Sequence, residues 1–100
     1  MSEAAADAAT NRLKRWSVIY KMNRLVNCFV QTFAIDEKDV TPTLAYQSIP
    51  AWDSVGHMTL VAEIENEFDV MLDTDEIIAM SDVSKAVEIL EKHGVKLIAG

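Results

Sequence analysis

Both prolines of this 100-residue chain fall in one segment, and their placement is the strongest constraint on the fold. Pro42 and Pro50 lie within residues 34–52, together with several Asp, Thr and Ser residues. These residues exclude a continuous helix there. On both sides of the segment, apolar residues recur at the three- and four-residue steps of amphipathic helices. The sequence therefore predicts an all-helical fold with one long connection.

A connection of this length is unusual in a compact domain unless apolar side chains hold it against the core. We expect five apolar residues of the segment to do so: Ile35, Val40, Leu44, Tyr46 and Ile49. Trp52, where the connection meets the next helix, is predicted to be a packing anchor.

The first helical pattern begins at Asn11 and continues to Phe33, whereas residues 1–10 are Ala-rich and polar and are predicted to be disordered. Apolar residues recur along this helix: Leu13, Trp16, Ile19 or Tyr20, Val26, Phe29, Val30 and Phe33. Cys28, the single cysteine, excludes an intrachain disulfide, and its apolar neighbours predict a buried thiol.

The second helix is predicted to run from Ser54 to Phe68. Its periodicity predicts five buried residues: Val55, Met58, Val61, Ala62 and Ile64. The same periodicity leaves four residues outside: Gly56, Thr59, Glu63 and Glu67. Glu65 falls within the apolar arc, so we expect it at the edge of that arc or in a contact that the pattern does not reveal.

Two shorter helices are predicted to follow. Asp73 and Glu76 have the spacing of a capping box, which predicts a helix of about two turns through Ile77, Ile78 and Met80. The last helix is capped by Ser81 or Asp82, carries a stripe of apolar residues and ends at Gly94 in a left-handed conformation. The stripe consists of Val83, Ala86, Val87 and Leu90.

The charge of the chain is strongly acidic and unevenly distributed. The net charge is -7, with residues 1–32 at +3 and residues 33–100 at -10. A nucleic-acid partner is not expected, because phosphate contacts require local positive charge. Basic protein surfaces are the expected partners, since opposite charges accelerate encounter.

The apolar runs of the chain are all shorter than a membrane span, and residues 1–7 lack the basic flank and apolar centre of a secretory signal. A cytoplasmic location is therefore expected. Four acidic residues invite comparison with a calcium loop: Asp69, Asp73, Asp75 and Glu76. Their spacing lacks the central glycine and terminal glutamate of an EF-hand, so no metal site is predicted.

Residues 52–61, Trp-Asp-Ser-Val-Gly-His-Met-Thr-Leu-Val, carry the strongest functional signal. They place the Ser54 hydroxyl at the first turn of an acid-rich helix. An anion esterified to this hydroxyl would meet unpaired backbone N–H groups and the positive end of the helix dipole. Taken alone, Ser54 is also compatible with an ordinary helix cap.

In this context the chain resembles an acyl carrier protein. The family's Asp-Ser-Leu signature corresponds to Asp53-Ser54-Val55, and its downstream acid-acid-Phe segment corresponds to residues 65–68, Glu-Asn-Glu-Phe. The likeness covers about residues 22–95. It implies a four-helix bundle with a long first loop and a short third helix, to which residues 11–21 add an N-terminal extension of the first helix. Residues 11–100 are thus expected to form one domain.

The resemblance also implies a function. A phosphopantetheinyl transferase would attach 4'-phosphopantetheine from coenzyme A to Ser54, and the arm would hold an acyl or aminoacyl group as a thioester. Acyl-loading and acyl-transferring or condensing enzymes would then be the partners. The chain itself would be a carrier and not an enzyme.

The resemblance further assigns roles around Ser54. The surface read by partners would include Asp53, Val55, Met58 and Glu65, while His57 and Trp52 would lie near the arm. An acyl chain inserted between the helices would meet five residues: Tyr46, Ile64, Leu72, Ile77 and Met80. His57 itself is expected to be solvated, and His93 to be a favourable charge at the end of the last helix.

The chain departs from fatty-acid carriers at three positions. Gly56 and Thr59 stand where those carriers usually place acids, and Trp52 stands where they usually place Leu or a small residue. Within fatty acid or lipid biosynthesis and related metabolism, these departures favour a specialised pathway, handling amino acids or unusual acyl chains, over housekeeping fatty acid synthesis.

Two other functions compete with the carrier. An unmodified helical interaction module requires only the fold, and a small hydrolase would use Asp53, Ser54 and His57 as a triad. The triad is disfavoured because adjacent Asp53 and Ser54 side chains diverge and the sequence shows no Gly-rich oxyanion loop. For residues 11–21, packing on the bundle and docking to a partner or membrane surface are both open.

Overall fold

Four helices, joined by loops, account for most of residues 20–97, the part of the chain that the computed structural model describes. Helix α1 covers residues 20–33 of that part. Helix α2 is Ser54–Phe68, α3 is Thr74–Ala79 and α4 is Val83–Lys92. A short 3-10 helix, Glu37–Asp39, lies in the long connection. Within residues 20–97 the sole extended pairing is an isolated bridge between Ala45 and Asp82, so the all-α prediction is confirmed.

The core forms where α1, α2 and α4 face one another. Each of these helices contributes fully buried side chains: Leu25 and Phe29 from α1, Leu60 and Ile64 from α2, Ala86 and Leu90 from α4. Burying a large apolar side chain contributes about 1.5 to 3 kcal/mol, so these contacts dominate the stability of the bundle. The predicted burial of Cys28 is also confirmed, and burial, followed by the nearby Glu67 and Glu63, raises the pKa of its thiol to about 12.

The long connection is held against this core, as predicted. Leu44 is buried, and four other apolar residues of the connection pack partly buried against the core: Ile35, Val40, Tyr46 and Ile49. Backbone hydrogen bonds add to this packing, because the Tyr46 N–H donates to the Ser81 carbonyl at 2.9 Å and the Val83 N–H donates to the Leu44 carbonyl at 3.0 Å. The connection therefore lies beside the junction of α3 and α4.

Trp52 anchors the end of the connection and is 0% exposed, which confirms its predicted packing role. Its indole stacks on the Phe33 ring with a centroid distance of 5.2 Å, and it meets the Phe29 ring edge-on at 5.5 Å. The residue thus fixes the position from which α2 starts.

Aspartate caps begin three of the helices. The carboxylates of Asp53, Asp73 and Asp82 each accept a backbone N–H at 2.8 Å. The predicted capping box is present, since the Glu76 carboxylate accepts the Asp73 N–H at 3.0 Å. Of the two residues predicted as the cap of α4, Ser81 and Asp82, it is Asp82 that caps the helix. Gly94 follows that helix with a φ of 86°, so the predicted left-handed stop is confirmed.

The buried face of α2 differs from the prediction. Leu60, Val61 and Ile64 are buried, whereas Val55 is 75% exposed, Met58 is 54% exposed and Ala62 is exposed as well. At the first turn, Trp52 occupies the core beside Phe29 and Phe33, and Val55 stays outside. Farther along, the inward face is the one that carries Leu60, Val61, Ile64 and Phe68, and neither Met58 nor Ala62 lies on it.

Glu65, which did not fit the apolar pattern of α2, makes a specific contact. Its carboxylate accepts the Leu72 N–H at 2.9 Å and so ties the loop after α2 back to that helix. In α4, Ile89 is buried although the predicted stripe omitted it, while Val87 is only partly buried.

The predicted disorder of residues 1–10 and most of the predicted extension, residues 11–19, lie outside the described residues. Residues 20 and 21 belong to α1. Within residues 20–97, none of the helices is both long enough and apolar enough to cross a membrane.

Candidate functional site

Ser54 is the first residue of α2 and is exposed to solvent. Its hydroxyl does not serve as the cap, because the Asp53 carboxylate accepts the Gly56 N–H in that role. The Ser54 Oγ lies instead 3.0 Å from the Tyr46 hydroxyl oxygen. The structure thus leaves the serine hydroxyl accessible, in hydrogen-bond contact with one side chain, at the positive end of a 15-residue helix.

Gly56 allows the connection to approach the first turn of α2. A Cβ atom at this position would lie 2.0 Å from the Ala51 carbonyl oxygen, a distance that two non-bonded atoms do not adopt. A side chain there would therefore displace residues 51–53. This contact gives a steric reason for glycine where fatty-acid carriers usually place an acid, and sequence periodicity alone does not reveal it.

His57 is held at both ring nitrogens. The Trp52 Nε1–H donates to His57 Nδ1 at 2.9 Å, and His57 Nε2 lies 2.8 Å from the Ile77 carbonyl oxygen. An indole N–H can only donate, so Nδ1 must accept and Nε2 must carry the proton that is donated to Ile77. His57 is therefore a neutral imidazole in this arrangement.

The prediction that His57 is solvated is thus wrong. The side chain is partly buried because the backbone of α3 passes beside α2 at this point and supplies an acceptor 20 residues away in sequence. The same contacts disfavour the hydrolase. Both imidazole nitrogens are engaged away from Ser54, and the Asp53 carboxylate is engaged by Gly56, so a Ser-His-Asp relay is not assembled.

A cavity of about 390 Å³ opens between α2 and α3 beside Ser54. Its lining is formed by eight residues: Tyr46, Ser54, His57, Met58, Ile77, Ile78, Met80 and Ser81. Three residues of the predicted acyl pocket, Tyr46, Ile77 and Met80, are in this lining. Ile64 and Leu72, the other two, lie in the buried core.

Met58, Ile78 and Ser81 line the cavity but were not among the predicted pocket residues. For Met58 a signal was available, because residues four apart on a helix share a face and Met58 follows Ser54 by four. Ile78 and Ser81 are brought to the cavity by the packing of α3, which no local sequence pattern predicts.

The residues predicted to be read by partners are divided between two environments. Asp53, Val55 and Met58 are exposed around Ser54 and are free of the core. Glu65 is partly buried, and its carboxylate binds the Leu72 N–H. Ile78, which is 75% exposed, adds a further apolar side chain on the α3 side of the cavity.

Two of the four acidic residues compared with a calcium loop have structural partners. Asp73 and Glu76 form the capping box of α3, and His93 Nε2 lies 2.9 Å from both carboxylate oxygens of Glu76. His93 was predicted to be only a charge at the end of α4, whereas it connects that end to α3. Across residues 20–97, no cluster of His, Cys, Asp or Glu side chains is arranged to hold a metal ion.

Comparison with known proteins agrees with this description. The chain is similar to a curated protein, the acyl carrier protein of Lactobacillus johnsonii, with 27% identity over 71 residues, which are 71% of this chain and 89% of that protein. No protein-family model matches the chain. No solved structure matches it. Acyl carrier proteins are carriers and not catalysts, so the similarity favours a non-enzymatic role. The similarity to this acyl carrier protein and the all-helical bundle both agree with the resemblance seen in residues 53–68.

Proposed function

We propose that the chain is a carrier that holds an acyl or aminoacyl group on a 4'-phosphopantetheine arm attached to Ser54. The observation that carries the proposal is the state of the Ser54 hydroxyl. It is exposed at the start of α2, and Asp53 has already taken over the capping role that would otherwise occupy it. The similarity to an acyl carrier protein supports the same assignment.

The local electrostatics suit a phosphodiester at this position. The first N–H groups of a helix lack intrahelical acceptors, and the helix dipole places partial positive charge at that end. A phosphodiester on Ser54 would lie close to both. No basic or acidic group of the chain is required to activate the hydroxyl, because the transferase supplies the base and positions coenzyme A. In the attachment step the Ser54 oxygen forms a bond to the pantetheine-side phosphorus of coenzyme A, and the serine proton passes to the transferase. The P–O bond of the pyrophosphate breaks at the same phosphorus, and adenosine 3',5'-bisphosphate leaves.

The partners follow from the surface around Ser54. Asp53, Val55 and Met58 present one acid and two apolar side chains beside the attachment point. The net charge of -10 over residues 33–100 favours enzymes with basic docking surfaces, and it chiefly accelerates their encounter with the carrier. We expect these to be the transferase and the enzymes that load, transfer or condense the acyl group.

The departures from fatty-acid carriers support a specialised pathway. Trp52 also donates its indole N–H to His57, and Gly56 admits the Ala51 carbonyl, so the pathway proposal rests on the sequence departures themselves and not on these packing roles. The cargo would enter the cavity between α2 and α3. If it does, loading the arm should raise the melting temperature, because the acyl group would bind only the folded state.

Intact-mass measurement tests the attachment. The native chain, incubated with coenzyme A and a phosphopantetheinyl transferase, should gain the mass of one phosphopantetheine. Ser54→Ala should gain none, and Ser81→Ala, which removes another hydroxyl at the same cavity, is the matched control that should gain it. If several transferases leave the native chain unchanged, the proposal is wrong and the unmodified interaction module becomes the better interpretation.

A further inference from the structure

The contact between Tyr46 and Ser54 has no explanation in the packing of the bundle. Tyr46 was predicted to hold the connection against the core and to line the acyl pocket, two roles that a phenylalanine would fill equally well. Its hydroxyl oxygen nevertheless lies 3.0 Å from the Ser54 Oγ. The hydroxyl of this partly buried tyrosine is thus a polar group, in contact with the attachment oxygen, in a mainly apolar cavity wall.

Two backbone hydrogen bonds and one ring contact hold Tyr46 in position. Its backbone N–H donates to the Ser81 carbonyl at 2.9 Å, and the N–H of Gln47 donates to the Trp52 carbonyl at 2.8 Å. Its ring meets the His57 ring edge-on, with centroids 5.5 Å apart and an interplanar angle of 71°. Gln47 has a φ of 67°, a left-handed conformation that is uncommon outside glycine and is tolerated where the surroundings enforce it. The hydroxyl is thus held in place before any arm is attached.

Esterification changes what this hydroxyl can bind. In the unmodified chain either oxygen can be the donor. Once Ser54 carries a phosphodiester, its Oγ has no hydrogen and becomes a weak bridging acceptor, while the negative charge resides on the two non-bridging phosphate oxygens. These oxygens lie one bond beyond phosphorus. A hydroxyl within hydrogen-bond distance of the Oγ is therefore close enough to donate to one of them, and bonds to an anion are stronger than bonds between neutral groups.

We propose that Tyr46 is a positioning residue for the arm: its O–H donates to a non-bridging phosphate oxygen on Ser54 and thereby directs the arm along the cavity between α2 and α3. This inference rests on the proposed attachment to Ser54. Tyr46 lines that cavity together with Ile77 and Met80, so a phosphate bound to its hydroxyl faces the cavity instead of the outer surface of α2. The Gly56 N–H is already bound by the Asp53 carboxylate, so the other phosphate oxygen would be favoured chiefly by the positive end of the α2 dipole.

The two tyrosines of the chain provide a matched test. Tyr46→Phe removes the proposed donor and keeps the ring, and Tyr20→Phe makes the same change at a residue of α1 that is exposed to solvent. The native chain and both variants are modified to completion with coenzyme A and a transferase, as checked by intact mass. Phosphorus NMR of the phosphodiester is then recorded, and the rate at which iodoacetamide alkylates the terminal thiol is measured. Cys28 is buried, with a pKa of about 12, so it does not compete in the folded chain.

We expect Tyr46→Phe to shift the phosphorus resonance and to raise the alkylation rate by up to about tenfold, the effect of losing one charge-assisted hydrogen bond on a docked population. Tyr20→Phe should match the native chain in both measurements. A phosphorus shift and an alkylation rate that are identical in all three proteins would overturn the role of Tyr46 and leave attachment to Ser54 intact. No mass gain in the native chain would overturn both proposals.

A second measurement tests the same proposal in the native chain and does not require the Tyr46→Phe variant to fold. In the modified native chain, nuclear Overhauser effects should connect the Tyr46 ring protons with the first methylene and methyl groups of the arm. Their presence supports the proposal even if Tyr46→Phe does not fold. Their absence, with strong contacts from the arm to Val55 instead, would show that the arm leaves along the outer surface of α2.

Discussion

Helices α3 and α4 both begin with an aspartate, Asp73 and Asp82, whose carboxylate accepts a backbone N–H three residues on at 2.8 Å. Their relation to the core is nevertheless different. Helix α4 buries four of its residues: Val83, Ala86, Ile89 and Leu90. None of the six residues of α3, all of which the structure describes, is fully buried. The same kind of aspartate cap thus starts both helices, but α4 packs into the core through buried side chains whereas α3 does not.

Polar contacts from both histidines of the chain hold α3. His57 donates to the Ile77 carbonyl from the α2 side, and His93 contacts the Glu76 carboxylate from the end of α4. Helix α3 forms one wall of the cavity beside Ser54 and is itself attached by a few polar contacts and by the partly buried Ile77, while the buried Leu72 and Met80 anchor the residues before and after it. The comparison indicates that the cavity opens more easily than the bundle unfolds.

The largest expected effect is in the core face of α4. Leu90→Ala should lower the free energy of unfolding by about 2 to 5 kcal/mol, because it leaves a cavity among fully buried side chains. Ile78→Ala, the control in α3, should change it by less than about 0.5 kcal/mol, since Ile78 is largely exposed. Urea denaturation measures both values. Similar losses in the two variants would contradict the distinction between the helices.

A smaller effect is expected at the contact between α2 and α3. His57→Ala removes the acceptor of the Trp52 indole N–H, which lies on a residue with no solvent exposure. The unsatisfied donor should lower the free energy of unfolding by about 1 to 3 kcal/mol. Hydrogen exchange should also become faster in the amides of α3, because the Ile77 carbonyl loses its donor.

His93→Ala is the matched variant on the other side of α3. It removes a contact at the surface and should have a smaller effect on global unfolding than His57→Ala, while also accelerating exchange in α3. If His57→Ala left both unfolding and exchange at native values, the proposed attachment of α3 through His57 would be wrong.

The smallest effect is a dependence on pH at the contact between α3 and α4. The Asp73 N–H and then the hydrogen bond from His93 hold the pKa of Glu76 below its usual value of 4.5. Because the folded pKa is lower than the unfolded one, the carboxylate stabilises the fold above the unfolded pKa, and this contribution is lost as the pH falls through the folded pKa.

Urea unfolding between about pH 6 and pH 3 should therefore show a loss of stability at the acidic end, and Glu76→Gln should make that loss shallower. Glu88→Gln makes the same chemical change on α4, where Glu88 contacts Lys85 at the surface, and serves as the control. Equal slopes in the native and Glu76→Gln chains would exclude a contribution from Glu76.

Several helix starts and the end of α4 were predictable, because the residues that cause them are close in sequence. The Asp73–Glu76 capping box, the start of α2 at Ser54 and the left-handed Gly94 each depend on residues within one turn of the position concerned. The apolar residues of the long connection were also identified correctly. The buried face of α2 was not, because apolar residues lie on more than one face of this helix and periodicity alone does not decide which face meets the core.

The sequence by itself determined that this chain forms a helical bundle with an exposed serine at the start of α2, since caps, prolines and apolar spacing act over a few residues. Only the tertiary structure decided what surrounds that serine. The Tyr46 and Ser54 oxygens meet across 8 residues, and His57 reaches the Ile77 carbonyl across 20. Such contacts depend on how the connection and α3 pack against α2, and packing is a property of the whole core that no local pattern encodes.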